Sequence, residues 1–157
     1  MDIHVVKASA SGPTPLAAFD TALQEAGAAN YNLIYLSSII PAGSKIIQSK
    51  PKPENGKFGH KLYCVIAQKR ETIPNKQAWA GIGWVLDKKT KQGMFVEHTG
   101  SSEDEVQKDI YKTLTDMMKR RPDHSWHPIK LSVSGTICEH KPVCSLVIAV
   151  YQSRSWD

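Results

Sequence analysis

Only two stretches of this chain carry helical apolar spacing, and around them short apolar runs recur, mostly joined by hairpin-length loops. That pattern narrows the fold more than any other feature. In the first helix Thr14 is the N-cap candidate and Pro15 fills the first helical position. Leu16, Phe19, Leu23 and Ala26 follow at helical spacing, and Gly27 closes the element. In the second, Ser102 and Glu105 form a capping box ahead of the stripe Val106, Ile110, Leu114 and Met117. Acids open this helix, Lys119-Arg120-Arg121 end it, and Pro122 forbids continuation.

Strands are predicted at residues 3–6, 32–36, 62–67, 77–86, 93–98, 129–137 and 143–151. The segment 32–36 reads as buried, and Pro41 ends the run that continues from it. Along 77–86, Trp79, Gly81, Gly83 and Val85 share one face. Residues 41–59, with three prolines and three glycines, form the longest irregular region. Two helices with six or seven strands predict a layered α+β domain with largely antiparallel sheet, spanning residues 1–157 without repeat or linker.

A chain of 157 residues buries a real core without staples, and 41% apolar content excludes bulk disorder. The balance of 20 Lys+Arg against 15 Asp+Glu leaves +5 and raises the question of nucleic acid. The charge gathers in residues 45–57, in the turn Asp87-Lys88-Lys89-Thr90-Lys91 and at Lys119-Arg120-Arg121. No base-stacking aromatics or nucleic-acid motif accompany it, so solvated turns and a helix end are expected, and no nucleic-acid partner. Nothing approaches the roughly 18 apolar residues of a membrane span. The Met1-Asp2-Ile3 start has an acid where a signal peptide has bases. Cys64 and Cys144 lie in apolar segments, so reduced thiols and a cytoplasmic protein are expected.

His124-Ser125-Trp126-His127 and Cys138-Glu139-His140 with Cys144 lack the paired spacing of a structural zinc site, and no metal is expected. Serine, histidine and acid are present without a G-x-S-x-G elbow, a weak basis for a hydrolase. Glu97 interrupts the apolar strand Met94-Phe95-Val96, flanked by Gly93 and Gly100. It is either an outward-facing strand residue or an acid whose apolar surroundings suit it to proton donation. In residues 30–41, Ser37-Ser38 interrupts an apolar run, and alternation turns one of the two hydroxyls toward the core. Such a hydroxyl either bonds nearby backbone at a strand end or has a function.

The motif Thr14-Pro15-Leu16-Ala17-Ala18-Phe19-Asp20, followed by Ala26-Gly27, Asn32-Leu33-Ile34 and Ser37-Ser38-Ile39 with Pro41, resembles the pyruvoyl-dependent arginine decarboxylases. The resemblance is dense over residues 11–46 and resumes at Gly93-Met94-Phe95-Val96-Glu97 and Gly100. Over residues 49–77 and after Pro122 only the order of elements matches.

The resemblance implies a four-layer αββα sandwich that cleaves itself into residues 1–37 and 38–157. Ser38 would attack the Ser37 carbonyl, and elimination and hydrolysis would leave a covalent pyruvoyl group at position 38. Asn32 would assist at the oxyanion. The pyruvoyl carbonyl would form a Schiff base with L-arginine, lost carbon dioxide leaving agmatine, and Glu97 would reprotonate the α-carbon. Asp20 would bind the guanidinium, with Leu23, Ala29 and Tyr31 lining the pocket. The working unit would be a homo-oligomer, a trimer or a dimer of trimers, with sites between protomers. Two other readings stay open: a relative decarboxylating another amino acid, and an unprocessed binding or assembly protein that uses residues 45–57 as its partner surface.

Overall fold

The computed structural model describes residues 1–52 and 56–157. Its elements run β1 (Asp2–Ser11), α1 (Pro15–Glu25), β2 (Asn32–Tyr35), β3 (Ile39–Ile40), β4 (Lys45–Ile47), β5 (Lys61–Glu71) and β6 (Gln77–Leu86). They continue with β7 (Gly93–Gly100), α2 (Glu103–Lys119), β8 (Lys130–Ile137) and β9 (Val143–Arg154). A five-stranded sheet has the order β2-β5-β9-β1-β4 and a four-stranded sheet the order β3-β7-β6-β8. The pairs β1–β4 and β2–β5 are parallel, and the other pairings are antiparallel.

Three apolar clusters fill the gaps between four layers. Ala18, Ala22 and Leu23 of α1 pack on Leu62, Leu146 and Ile148 at the outer face of the five-stranded sheet. Val65, Val147 and Ala149 meet Ile82, Trp84 and Phe95 between the sheets. Val106, Ile110 and Leu114 of α2 pack on Val85 and Val96 of the four-stranded sheet. The fold is an αββα sandwich, mostly antiparallel, with two helices. Central β9 is buried on both faces, which explains its unbroken apolar run.

Local chemistry sets the helix ends. Thr14 Oγ1 accepts from the Ala17 N–H at 3.1 Å, and Gly27 takes φ 73° just past the C-terminus of α1, where a side chain would crowd. Ser102 Oγ caps the Glu105 N–H at 3.2 Å, while Glu105 Oε2 reaches the N–H of Ser101 at 2.8 Å, one residue beyond a standard capping box. Gly83 lets α2 approach β6 closely, since a Cβ there would meet Ile110 Cγ2 at 2.2 Å.

Four expectations need correction. Leu16 is 65% exposed, because α1 lies on the sheet through the alanines Ala18, Ala22 and Ala26. Residues 32–36 are not a buried strand, because β2 is a sheet edge with Asn32 and Tyr35 exposed. β1 runs on to Ser11, its small residues held by pairing with β9. Residues 41–59 contain β4, which forms only because β1 lies beside it. Within the basic stretch 45–57, residues 53–55 lie outside the described residues.

Asp87 fastens the β6–β7 turn. Its buried carboxylate accepts from the N–H groups of Lys89, Thr90 and Ser125 and from the Thr90 hydroxyl. The Thr90 N–H leads these bonds in holding its pKa well below the usual carboxylate range, against the opposing effect of burial. A carboxyl depressed in the folded state contributes stability above its unfolded pKa of about 4, and that stability is lost as pH falls toward the folded value. Asp87→Asn is therefore expected to lower the melting temperature by several degrees at neutral pH. The melting temperature of the variant, followed by circular dichroism, should fall less steeply than the parent's below about pH 4.

Candidate active site at the sheet crossing

Ser37 and Ser38 lie where the chain changes sheets. Leu36 still belongs to the five-stranded ladder, its N–H donating to the Cys64 carbonyl at 2.9 Å. Two residues later the Ser38 carbonyl accepts from the Phe95 N–H at 2.8 Å, on the four-stranded sheet. Ser38 absorbs the turn with φ 64°, a left-handed conformation that costs a residue bearing a Cβ about 1–2 kcal/mol.

Of the two serines, Ser37 is exposed and Ser38 half-buried. The Ser38 Oγ donates to Glu97 Oε1 at 2.6 Å, a short bond. Glu97 stands opposite Ile82 in the β6–β7 ladder and two residues from Phe95, so its side chain is turned toward the five-stranded sheet. The two residues are 59 positions apart in sequence, and the fold brings them into contact.

Tyr151 is the participant that sequence reading missed. Its hydroxyl donates to the Ile39 carbonyl at 2.9 Å, and its ring packs edge-on against Phe95 with centroids 6.1 Å apart. Burial, then the Glu97 charge, raises its pKa, so it stays a donor. The available signal was a phenol closing an otherwise apolar strand, where the hydroxyl needs a partner. Beside the crossing lies an open cavity of about 360 Å³ whose walls include Leu36, Ser37, Ile39, Tyr63 and Tyr151. It carries no acid.

The remaining sequence-predicted residues gather elsewhere. Asp20 is exposed on α1, accepting from Gln24 Nε2 at 2.8 Å. Leu23 and Ala29 are buried in the core between α1 and the sheet, and Tyr31 packs against it. Asn32 Nδ2 donates to the Gly59 carbonyl at 2.8 Å, which also accepts from Trp156 Nε1 at 2.8 Å. The five-stranded sheet stands between α1 and the inter-sheet space that Glu97 faces. Strand β2 alone, at about 3.3 Å per residue, sets Asn32 roughly 10 Å from its other end, before the crossing begins. Within one chain, then, Ser38 and Glu97 meet, while Asp20 and Asn32 stand apart from them.

The histidines of the H-x-x-H segment serve loop contacts. His124 stacks on Trp126 and approaches Asp87, and His127 accepts from Lys91. All three cysteines are free and buried, and burial pushes the thiols of Cys64 and Cys144 up to about 12 and about 11. Among the described residues, no helix is long and apolar enough to cross a membrane.

A family profile for pyruvoyl-dependent arginine decarboxylase matches residues 2–155. A pyruvoyl-dependent arginine decarboxylase of Thermococcus sibiricus is 31% identical over 149 residues, covering 93% of this chain and 91% of its own. One from Halobacterium salinarum is 31% identical over 150 residues, covering 95% and 92%. A solved pyruvoyl-dependent histidine decarboxylase is similar over 68% of this chain and 55% of its own, at 18% identity and a TM-score of 0.45. The crossing fits such a cofactor, since Ser38 presents a hydroxyl on strained backbone, in contact with an acid and near an open cavity. The chain belongs to the pyruvoyl-dependent arginine decarboxylases, enzymes whose cofactor is a covalently bound pyruvoyl group.

Proposed function

We propose that this protein cleaves itself between Ser37 and Ser38 and then decarboxylates L-arginine to agmatine and carbon dioxide. The observation that carries this reading is Ser38 itself, left-handed at φ 64° with its Oγ 2.6 Å from Glu97 Oε1. Glu97 is placed to take the hydroxyl proton as Oγ attacks the Ser37 carbonyl carbon, and the peptide C–N bond gives way to an ester. Loss of the Ser38 Cα proton and scission of its Cβ–O bond release residues 1–37 with a free carboxylate. Hydrolysis of the resulting dehydroalanine gives the pyruvoyl group and ammonia. The backbone strain at Ser38 is relieved when the bond to Ser37 breaks.

The pyruvoyl group supplies an electron sink for decarboxylation. The chain's own groups do the rest. The Phe95 N–H donates to the residue-38 carbonyl and favours charge there. Glu97 delivers a proton to the substrate's α-carbon. Leu36, Ile39 and Tyr63 offer apolar walls for the methylene chain of arginine.

Among the described residues no carboxylate stands on those walls to pair with a guanidinium, so recognition comes from Asp20 of a neighbouring protomer. The working unit is accordingly a homo-oligomer, for which the family resemblance implies a trimer or a dimer of trimers. Exposed Tyr35 and Ile39 beside the crossing supply apolar surface for that contact.

Denaturing mass spectrometry of purified protein is expected to give two fragments: residues 1–37, and residues 38–157 lacking a free amino terminus. Ser38→Ala should stay intact, and an intact parent chain after prolonged incubation would refute self-processing. Glu97→Gln should slow the appearance of the two fragments and, in the fraction that has cleaved, lower kcat for arginine by about a hundred- to ten-thousand-fold while KM changes little. Asp20→Ala should raise KM for arginine about ten- to a hundredfold and remove the preference for arginine over lysine. An unchanged substrate profile across an amino-acid panel would remove Asp20 from the site.

A further inference from the structure

A second cavity lies at the other open edge of the sandwich. Ser38 sits at the β2 and β3 edge, whereas this cavity, of about 740 Å³, opens between β4 and the β6–β8 side of the four-stranded sheet. Lys45, Lys91, Lys130 and His127 line it, and among the described residues no carboxylate does. Its apolar walls come from Ile46, Trp84, Leu86 and Pro128. None of the three lysines is ion-paired among the described residues, and Lys91 Nζ instead donates to His127 Nε2 at 3.0 Å.

The three segments that form the cavity are tied to one another by the backbone. Gly43 N–H donates to the Thr90 carbonyl at 2.8 Å, Lys88 N–H to Ser125 at 2.7 Å and His127 N–H to Leu86 at 2.8 Å. The nearby carboxylate of Asp87 is turned away into its own turn, where it is saturated by the bonds described above. A bound anion would meet lysine ammonium groups with no carboxylate partner among the described residues, while the apolar walls cover its carbon body.

We propose that this cavity is a binding site for a small organic anion that joins one carboxylate or phosphate to a flat apolar body. Arginine, a cation at its side chain, does not fit there, so the site is separate from the decarboxylation centre and does not rest on the reading of that centre.

Isothermal titration of the purified assembled protein at low salt, with 1-naphthyl phosphate, 1-naphthoate, 1-naphthol and inorganic phosphate, tests it. One saturable site per chain is expected for a naphthyl anion, with 1-naphthol and inorganic phosphate at least about tenfold weaker. The tighter of the two naphthyl anions identifies the head group. Lys91→Ala/Lys130→Ala should weaken binding about tenfold or more, while Lys119→Ala/Arg120→Ala leaves it unchanged and arginine does not displace the probe. Absence of saturation by about 10 mM, or equal weakening by both double variants, would overturn the proposal. A changed native mass in Lys91→Ala/Lys130→Ala would overturn it as well, because a second copy of the chain would then occupy the cavity.

Discussion

The chain has to pass from one sheet to the other within three residues. β2 ends on the five-stranded sheet and β3 starts on the four-stranded sheet, with packed sheets about 10 Å apart. Both ends of the crossing are fastened. Leu36 is bonded to β5, Ser38 to β7, and Ile39 is held by β7 pairing and by the Tyr151 hydroxyl of β9. A left-handed serine would relax if either end were loose. The conformation at Ser38 is therefore a consequence of the layered architecture more than of the local Ser-Ser sequence.

The same layering sorts the acids. Glu97 faces inward because strand alternation puts it on the side of Phe95, and its half-burial leaves it open to the crossing. Asp20 faces solvent on the outermost layer, since the alanine face of α1 is spent on the sheet. A protein of net charge +5 does not steer a cationic substrate by its overall field, so under the proposed function recognition of a guanidinium would rest on a local acid such as Asp20. The concentration of lysine charge at the β4–β8 edge keeps that charge on the far side of the sandwich from the crossing.

Much of this was legible in residues 1–157. The capped ends and apolar stripe of α2 appear where spacing placed them, and the shared face of Trp79, Gly81, Gly83 and Val85 lies under that helix. Periodicity left Glu97 undecided, because its orientation depends on which face of β7 meets the second sheet. Family resemblance singled out Ser38 and Glu97, but their contact is a matter of tertiary register. Strands β3 and β4 were hidden for the same reason: two or three residues carry no period, and each exists through its partner. Leu16 misled because helical spacing does not reveal which of two adjacent stripes is buried. The bond from Asn32 Nδ2 to the Gly59 carbonyl, 27 positions on, is likewise a tertiary contact that spacing does not show.

The contact between Ser38 and Glu97 also gives the two halves of the proposed function an order. Before cleavage the Ser38 hydroxyl is bonded to Oε1 of the half-buried Glu97. In the proposed reaction, elimination would break the Cβ–O bond and remove the hydroxyl that donates this bond. The Glu97 carboxyl would then face the substrate at the position where the serine side chain had been. One acid would thus serve both maturation and turnover, and the first step would clear the site for the second.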